Sequence, residues 1–496
     1  MRESGILLPI SSLPSPYGIG CFSKEAYEFV DQLALANQKY WQILPLGPTS
    51  YGDSPYQSFS TYAGNPYFID LNTLIEEGVL TKKECDLADF GSDSRFIDYG
   101  KLYKARYKLL RKAYERSNIS KNPEFQTFQE ENAWWLDDYA LFMAVKGFFQ
   151  DECWDKWPED IKKRYGYALD YYREQLYFEI EFQKYMQFEF SIQWKKLKAY
   201  ANENGIRIIG DIPIYVAYDS ADTWAHPELF QLDEENVPLA VAGCPPDGFA
   251  ADGQLWGNPL YRWDYHRQTG YAWWMQRLSY AFYLYDVVRI DHFRGFDEYF
   301  SIPYGDTTAR NGHWEKGPGI ELFRRMKEVL GERDVIAEDL GYVTDSVRQM
   351  VFESGFPGMK VFEFAFDSRD TGCAGDYLPH NYPVNSVVYT GTHDNATLIG
   401  WYQDIPKEGR EMLRDYIHDY TTSDRSLHWS VICRVMGSPA RICMIPMQDY
   451  LGLDNTCRIN TPSTLGTNWK WRLLDGEFTS DLQNKIKKLV RIYQRN

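Results

Sequence analysis

Val287-Val288-Arg289-Ile290-Asp291 is a short run of strand length, mostly apolar and closed by an acid. Apolar residues at successive rather than alternate positions suit a strand buried on both faces, as in a parallel sheet. Seven further runs are likewise mostly apolar and of strand length. Gly5-Ile6-Leu7-Leu8-Pro9-Ile10, Tyr40-Trp41-Gln42-Ile43-Leu44-Pro45-Leu46 and Arg207-Ile208-Ile209-Gly210-Asp211 precede it. Val335-Ile336-Ala337-Glu338-Asp339, Lys360-Val361-Phe362-Glu363-Phe364, Val387-Val388-Tyr389-Thr390-Gly391 and Ile442-Cys443-Met444-Ile445-Pro446 follow it. Helical patterns lie between them. Ser23 reads as the cap of a helix presenting Ala26, Phe29, Val30 and Leu33 on one face. Residues 320–330 carry Phe323, Met326, Val329 and Leu330 on a stripe that Gly331 stops, and Thr344 opens a helix stopped by Gly355. These are ordinary helix start, period and stop signals. Strand and helix alternating through eight runs predict an α/β fold, a closed (β/α)8 TIM barrel. A doubly wound open sheet is the alternative, but no GxGxxG or P-loop follows any run.

Three spans exceed simple connections. Residues about 73–185 are dense in aromatic and charged residues and read as a helical insertion subdomain. Residues about 216–268 contain the Pro- and Gly-rich stretch Gly243-Cys244-Pro245-Pro246-Asp247-Gly248, continuing through Gln254, Trp256 and Asn258. A loop of that length and composition points to function. Residues about 297–319 form a smaller insertion. The chain, 1–496, is therefore expected to be one catalytic barrel with insertions and no C-terminal β-domain.

The formal net charge of −17 opposes binding to nucleic acid or an anionic membrane, because phosphate is repelled. No stretch approaches the roughly 20 apolar residues that span a bilayer. The first residues lack a signal peptide's apolar core, and the eight cysteines form no CxxC pair. These features predict reduced thiols in a cytoplasmic protein. Aromatic residues reach 17%, which fits core packing and also sugar stacking; composition does not separate the two.

Barrel enzymes place their sites at the carboxyl ends of the strands. Asp211, Asp291 and Glu338 close three consecutive runs, and Asp394 lies just past the seventh. A carboxylate there costs desolvation free energy unless paired or used. Glycoside chemistry uses two such groups with separated pKa values, an ionised one to attack the anomeric carbon and a protonated one to supply the leaving oxygen. Arg289 lies two residues before Asp291, on the same side of a strand, and is expected to hold it ionised as the nucleophile. Glu338 on the next run is then the acid/base, while Asp339 points away and is structural. Asp394, beside His393, would grip sugar hydroxyls. Asp211 alone reads equally as a helix cap. His292 reads as a satisfied polar residue. No spacing suggests zinc, and no G-x-S-x-G elbow is present.

The chain resembles the amylomaltases, the 4-α-glucanotransferases of glycoside hydrolase family 77. The resemblance rests on ordered strings that cover nearly the whole length. They are Leu8-Pro9-Ile10-Ser11-Ser12-Leu13-Pro14, Gly52-Asp53-Ser54-Pro55-Tyr56-Gln57-Ser58, Ala63-Gly64-Asn65-Pro66 and Gly210-Asp211-Ile212-Pro213. Pro245-Pro246-Asp247, Trp256-Gly257-Asn258-Pro259-Leu260-Tyr261, Arg289-Ile290-Asp291-His292-Phe293-Arg294-Gly295, Ala337-Glu338-Asp339-Leu340-Gly341 and Gly391-Thr392-His393-Asp394-Asn395 continue them. The resemblance implies Asp291 as nucleophile, Glu338 as acid/base and Asp394 as transition-state stabiliser. It places Asp211, Arg289 and His393 in the donor-sugar pocket. It implies substrate contacts for Tyr56, Asp247, Gln254, Trp256, Asn258 and Asp367, with 247–255 a mobile loop over the substrate. Gly248, Ala250 and Ala251 depart from the larger or polar groups of related loops. The absence of a His after Asp211 separates the chain from α-amylases. The implied reaction transfers α-1,4-glucan segments to another glucan or to glucose, on malto-oligosaccharides, without cofactor or metal. The rival readings are an α-1,4-glucan hydrolase with the same acids, a non-catalytic glucan-binding protein, and a barrel oxidoreductase or aldolase, which no nucleotide motif or strand-end Lys supports.

Overall fold

The structure is a computed structural model and describes residues 2–50, 52–246, 251–341, 343–366 and 374–496. Twelve strands are present among them, numbered in chain order: β1 Glu3–Leu7, β2 Tyr40–Gln42, β3 Arg207–Pro213, β4 Ala240–Cys244, β5 Gln254–Pro259, β6 Val287–Asp291, β7 Glu298–Pro303, β8 His313–Lys316, β9 Val335–Ala337, β10 Gly358–Val361, β11 Ser386–Tyr389 and β12 Ile442–Pro446. Eight of them close a parallel barrel in the order β1-β12-β11-β10-β9-β6-β3-β2. This is the TIM barrel that the eight apolar runs predicted. Only β6 and β12 match their runs at both ends, and two of the other differences bear on the site. β9 stops at Ala337, so Glu338 lies just beyond it, and β10 begins at Gly358 and gives way to a 3-10 turn over Phe362–Ala365.

The barrel interior is less apolar than its runs suggested. Tyr389 donates to Gln42 Oε1 at 2.9 Å, and both side chains are buried. Arg289 is buried on β6, with Nε 3.4 Å from Met359 Sδ. A buried charge of this kind is tolerated only when its donors are paired. Packing beside β3 is close. A Cβ on Gly210 would lie 2.0 Å from the Tyr285 ring, so only glycine fits there. Arg277 donates to Ile214 O at 2.9 Å and so ties the helix Ala272–Leu284 to the end of β3.

The helical insertion has its own core around Trp135, Phe142, Trp154 and Trp224. It does not end near residue 185. Tyr177–Glu203 is one helix of 27 residues, about 40 Å long, which begins in the insertion and delivers the chain to β3. The other two spans are joined. β5-β4-β7-β8 form one antiparallel sheet, so residues on either side of β6 build a single small layer around Val241, Phe300 and Ile302. Pairing across a gap of this length is invisible to local periodicity. Ser23 also differs from expectation. It precedes Lys24–Leu35 but makes no capping bond; its hydroxyl engages Ser15 and Glu25 instead. Val329 is 46% exposed, and Leu322 takes the buried place expected of it. The Thr344 cap on Val347 N–H and the Gly355 stop are both present. No described helix is long and apolar enough to cross a membrane.

Candidate active site

Parallel register brings the charged groups together. It sets Asp211 on β3 beside Arg289 on β6, and Ile290 beside Ala337, so one step further Asp291 stands level with Glu338. Asp211 and Arg289 are 0% and 3% exposed. Arg289 Nη1 lies 2.6 Å from Asp211 Oδ2, and Nη2 lies 3.0 Å from Asp291 Oδ1. One guanidinium thus bridges two carboxylates, and its planar fork aims each of them. Asp211 Oδ2 also accepts from Tyr56 Oη at 2.7 Å, while Oδ1 has no partner. Asp211 is no helix cap here.

Asp291 keeps 28% of its side chain exposed at the barrel mouth. Glu338 is held from both ends: its Oε2 accepts from His292 N–H at 2.6 Å and its Oε1 from Leu340 N–H at 2.9 Å. His292 donates in this direction because its backbone is left-handed, with φ 54°. Its ring stands edge-on to Trp256 at 4.8 Å, and Nε2 is buried without a partner, so it is not the satisfied histidine expected. Burial pushes its pKa down to about 3, which keeps it neutral. Asp339 accepts from Met359 N–H at 2.7 Å, away from this cluster.

Arg289 does not win the contest over Asp291. Burial raises the Asp291 pKa to about 6; Asp211 and Asp394 add to the rise, and Arg289 and His393 only moderate it. Burial and the neighbouring Asp291 carboxylate raise Glu338 to about 7. With Arg289 against it, Asp291 ionises before Glu338.

His393 and Asp394 sit in a turn after β11, fixed by Thr392 N–H and Oγ1 donating to Asn395 Oδ1 at 2.9 and 2.8 Å. His393 Nε2 lies 3.2 Å from Asp394 Oδ2, and neither ring nitrogen has a hydrogen-bond partner. Burial opposes the Asp394 charge, but His393 and the Asn460 amide outweigh it and hold the carboxyl below its usual range. Tyr56 stacks on the His393 ring at 5.2 Å and 13°.

The covering residues are less uniform. Gln254 opens β5 and accepts from Trp256 Nε1 at 3.1 Å, which steadies the indole. Asn258 is buried; its amide donates to Val216 O at 2.8 Å and accepts from Gln57 at 3.2 Å, so in this structure it braces loops. Asp247 and Asp367 lie outside the described residues, as does 248–250 of the expected loop. Sequence reasoning missed Arg458, Asn460 and Trp469. These follow the eighth barrel strand, and Trp469 packs on Tyr56 and His393 at 5.9 and 6.1 Å. The available signal was their place in a loop at the carboxyl face.

A closed parallel barrel with an Arg-bridged set of acids at its carboxyl end defines a class, the glycoside-active barrel enzymes. Comparison with known proteins narrows it. The family model for 4-alpha-glucanotransferase, glycoside hydrolase family 77, matches residues 8–477. The 4-alpha-glucanotransferase of Clostridium butyricum is 50% identical over 98% of this chain and 99% of its own. That of Thermus thermophilus is 46% identical over 100% and 99%. Among solved structures, the amylomaltase from Streptococcus agalactiae in complex with acarbose superposes with a TM-score of 0.96, at 41% identity and with 100% of both chains covered. The chain belongs to the 4-alpha-glucanotransferase family, glycoside hydrolase family 77, and has that family's transferase activity.

Proposed function

We propose that the enzyme moves α-1,4-glucan segments by a retaining double displacement through a covalent glycosyl–Asp291 ester. Asp291 attacks the anomeric carbon as the glycosidic C–O bond breaks, and the Glu338 proton passes to the departing oxygen. The 4-hydroxyl of an acceptor glucan or of glucose then gives its proton to Glu338 and attacks the same carbon. The ester bond to Asp291 breaks, and two inversions make net retention. Asp394 and His393 grip the donor sugar and favour its oxocarbenium-like transition state. Asp211, Arg289 and Tyr56 build the wall behind it. Gln254, Trp256 and Asn258 would meet the acceptor side directly or through the loops they brace, and Asp247 and Asp367 complete the substrate contacts.

The observation that carries this reading is the pair itself: a mouth-facing Asp291 held by Arg289 at 3.0 Å, level with a Glu338 fixed by the His292 and Leu340 N–H groups. The substrates we propose are α-1,4-glucans and malto-oligosaccharides, handled in the cytoplasm by one barrel whose insertions shape the cleft. The net charge of −17 argues against nucleic acid and anionic membrane as partners. Exclusion of water from the covalent intermediate favours transfer over hydrolysis by the same acids. Purified protein incubated with maltotriose alone is the test. Glucose with a ladder of longer maltodextrins is expected. Maltose and glucose without longer products would mean a hydrolase.

A further inference from the structure

The segment after the last barrel strand folds back over the mouth and meets Asp394 at several points. Asn460 Nδ2 donates to Asp394 Oδ1 at 2.6 Å, and Asn460 N–H donates to His393 O at 3.1 Å. Arg458 clasps both partners, with Nη2 donating to Asp394 O at 2.5 Å and Nε to Asn460 O at 2.6 Å. Asn460 is 9% exposed, whereas the Asp394 side chain keeps 41% exposure. The carboxylate thus faces the mouth, and its back is held by a buried amide.

We propose that Asn460 is a positioning residue for the transfer reaction: its buried amide aims the Asp394 carboxylate at the donor sugar. This rests on the role given to Asp394 above. A carboxylate on a turn rotates about its Cα–Cβ bond unless something holds it, and stabilisation of developing positive charge falls quickly with misplacement. His393 alone does not fix that rotation, since its Nε2 approaches Oδ2 without hydrogen-bond geometry. Asn460 supplies the directional contact, and Arg458 ties the backbones of both residues into one unit. The other charged or titratable groups that face Asp394 are His393, Arg289, Asp291, Arg458 and Tyr56. All of them are retained in the variants below.

The test compares N460A, the near-isosteric N460D, N468A and D394N in maltotriose disproportionation, with thermal melts of each. Asn468 is the control for loop integrity, because its side chain ties Thr461 and Thr464 of the same segment. N460A should lower kcat about tenfold to a hundredfold with KM within twofold and an unchanged melt. N460D should fall further, because it replaces the donor with a like charge against Asp394. N468A should keep its kcat. A wild-type kcat for N460A overturns the proposal, and so does an equal loss in N468A. An inactive D394N beside a fully active N460A would remove only the inference about Asn460. A fully active D394N would remove the reading of Asp394 beneath it.

Discussion

The site turns on how two carboxyls a short distance apart come to differ. Asp291 has the Arg289 guanidinium at 3.0 Å, whereas Glu338 accepts two backbone N–H groups and no side-chain cation. Ionising Asp291 therefore comes first, and its charge then helps Glu338 keep its proton. The proposed mechanism needs Asp291 ionised, so activity should fall as pH drops through about 6, and it needs Glu338 protonated, so activity should fall as pH rises through about 7. The two limbs belong to the pair and not to either residue alone. A pH profile of kcat/KM checks this, and E338Q should erase the alkaline limb; its persistence would mean another acid. With a glycosyl fluoride donor, which needs little protonation, E338Q should still accumulate a glycosyl adduct on Asp291 visible by mass spectrometry. D291A should show neither turnover nor adduct while melting as the wild type does.

At the scale of elements, β3 and β6 form the site's frame. Their register places Asp211 against Arg289, and the glycine before Asp211 lets Tyr285 press flat on the strand. Gly210→Ala would drive a methyl group into that ring. A cost of roughly 1–3 kcal/mol is expected from overpacking, read as a lower denaturation midpoint. Because the strand carries Asp211, kcat should fall as well. A variant as stable as wild type would mean that Tyr285 swings away freely. Asp449 acts similarly at a distance, accepting from Thr390 Oγ1 at 2.5 Å and Leu398 N–H at 2.7 Å to lock the end of β11 to the next helix. Both contacts set where site residues stand.

For the whole molecule, the site is a standing cost. Glu338 moves from an ordinary value near 4.5 to about 7 on folding, so the native state binds the extra proton. The stability linked to that proton is fully present below the unfolded value and is lost as pH rises through the folded one. E338Q, which cannot ionise, should therefore gain stability over wild type as pH climbs from 5 to 8, by on the order of 1–3 kcal/mol at the upper end. Urea melts at the two pH values measure it. An equal difference at both would show that Glu338 ionises no differently when folded.

The local pattern of this chain was enough to specify the barrel, because strands buried on both faces must be apolar throughout and helices between them must show a 3.6-residue stripe. It also singled out Asp211, Asp291 and Glu338 as candidates, since an acid at the end of a buried strand has no reason to be there unless it is paired or used, with Asp394 in the turn after β11 beside them. Only the tertiary structure decided the rest. The guanidinium shared between Asp211 and Asp291, the sheet that joins β4 and β5 to β7 and β8, and the grip of Asn460 on Asp394 all depend on residues far apart in the chain. Burial then outweighed the effect expected of Arg289 on Asp291, because desolvation depends on the whole surrounding shell and not on the residue two positions away.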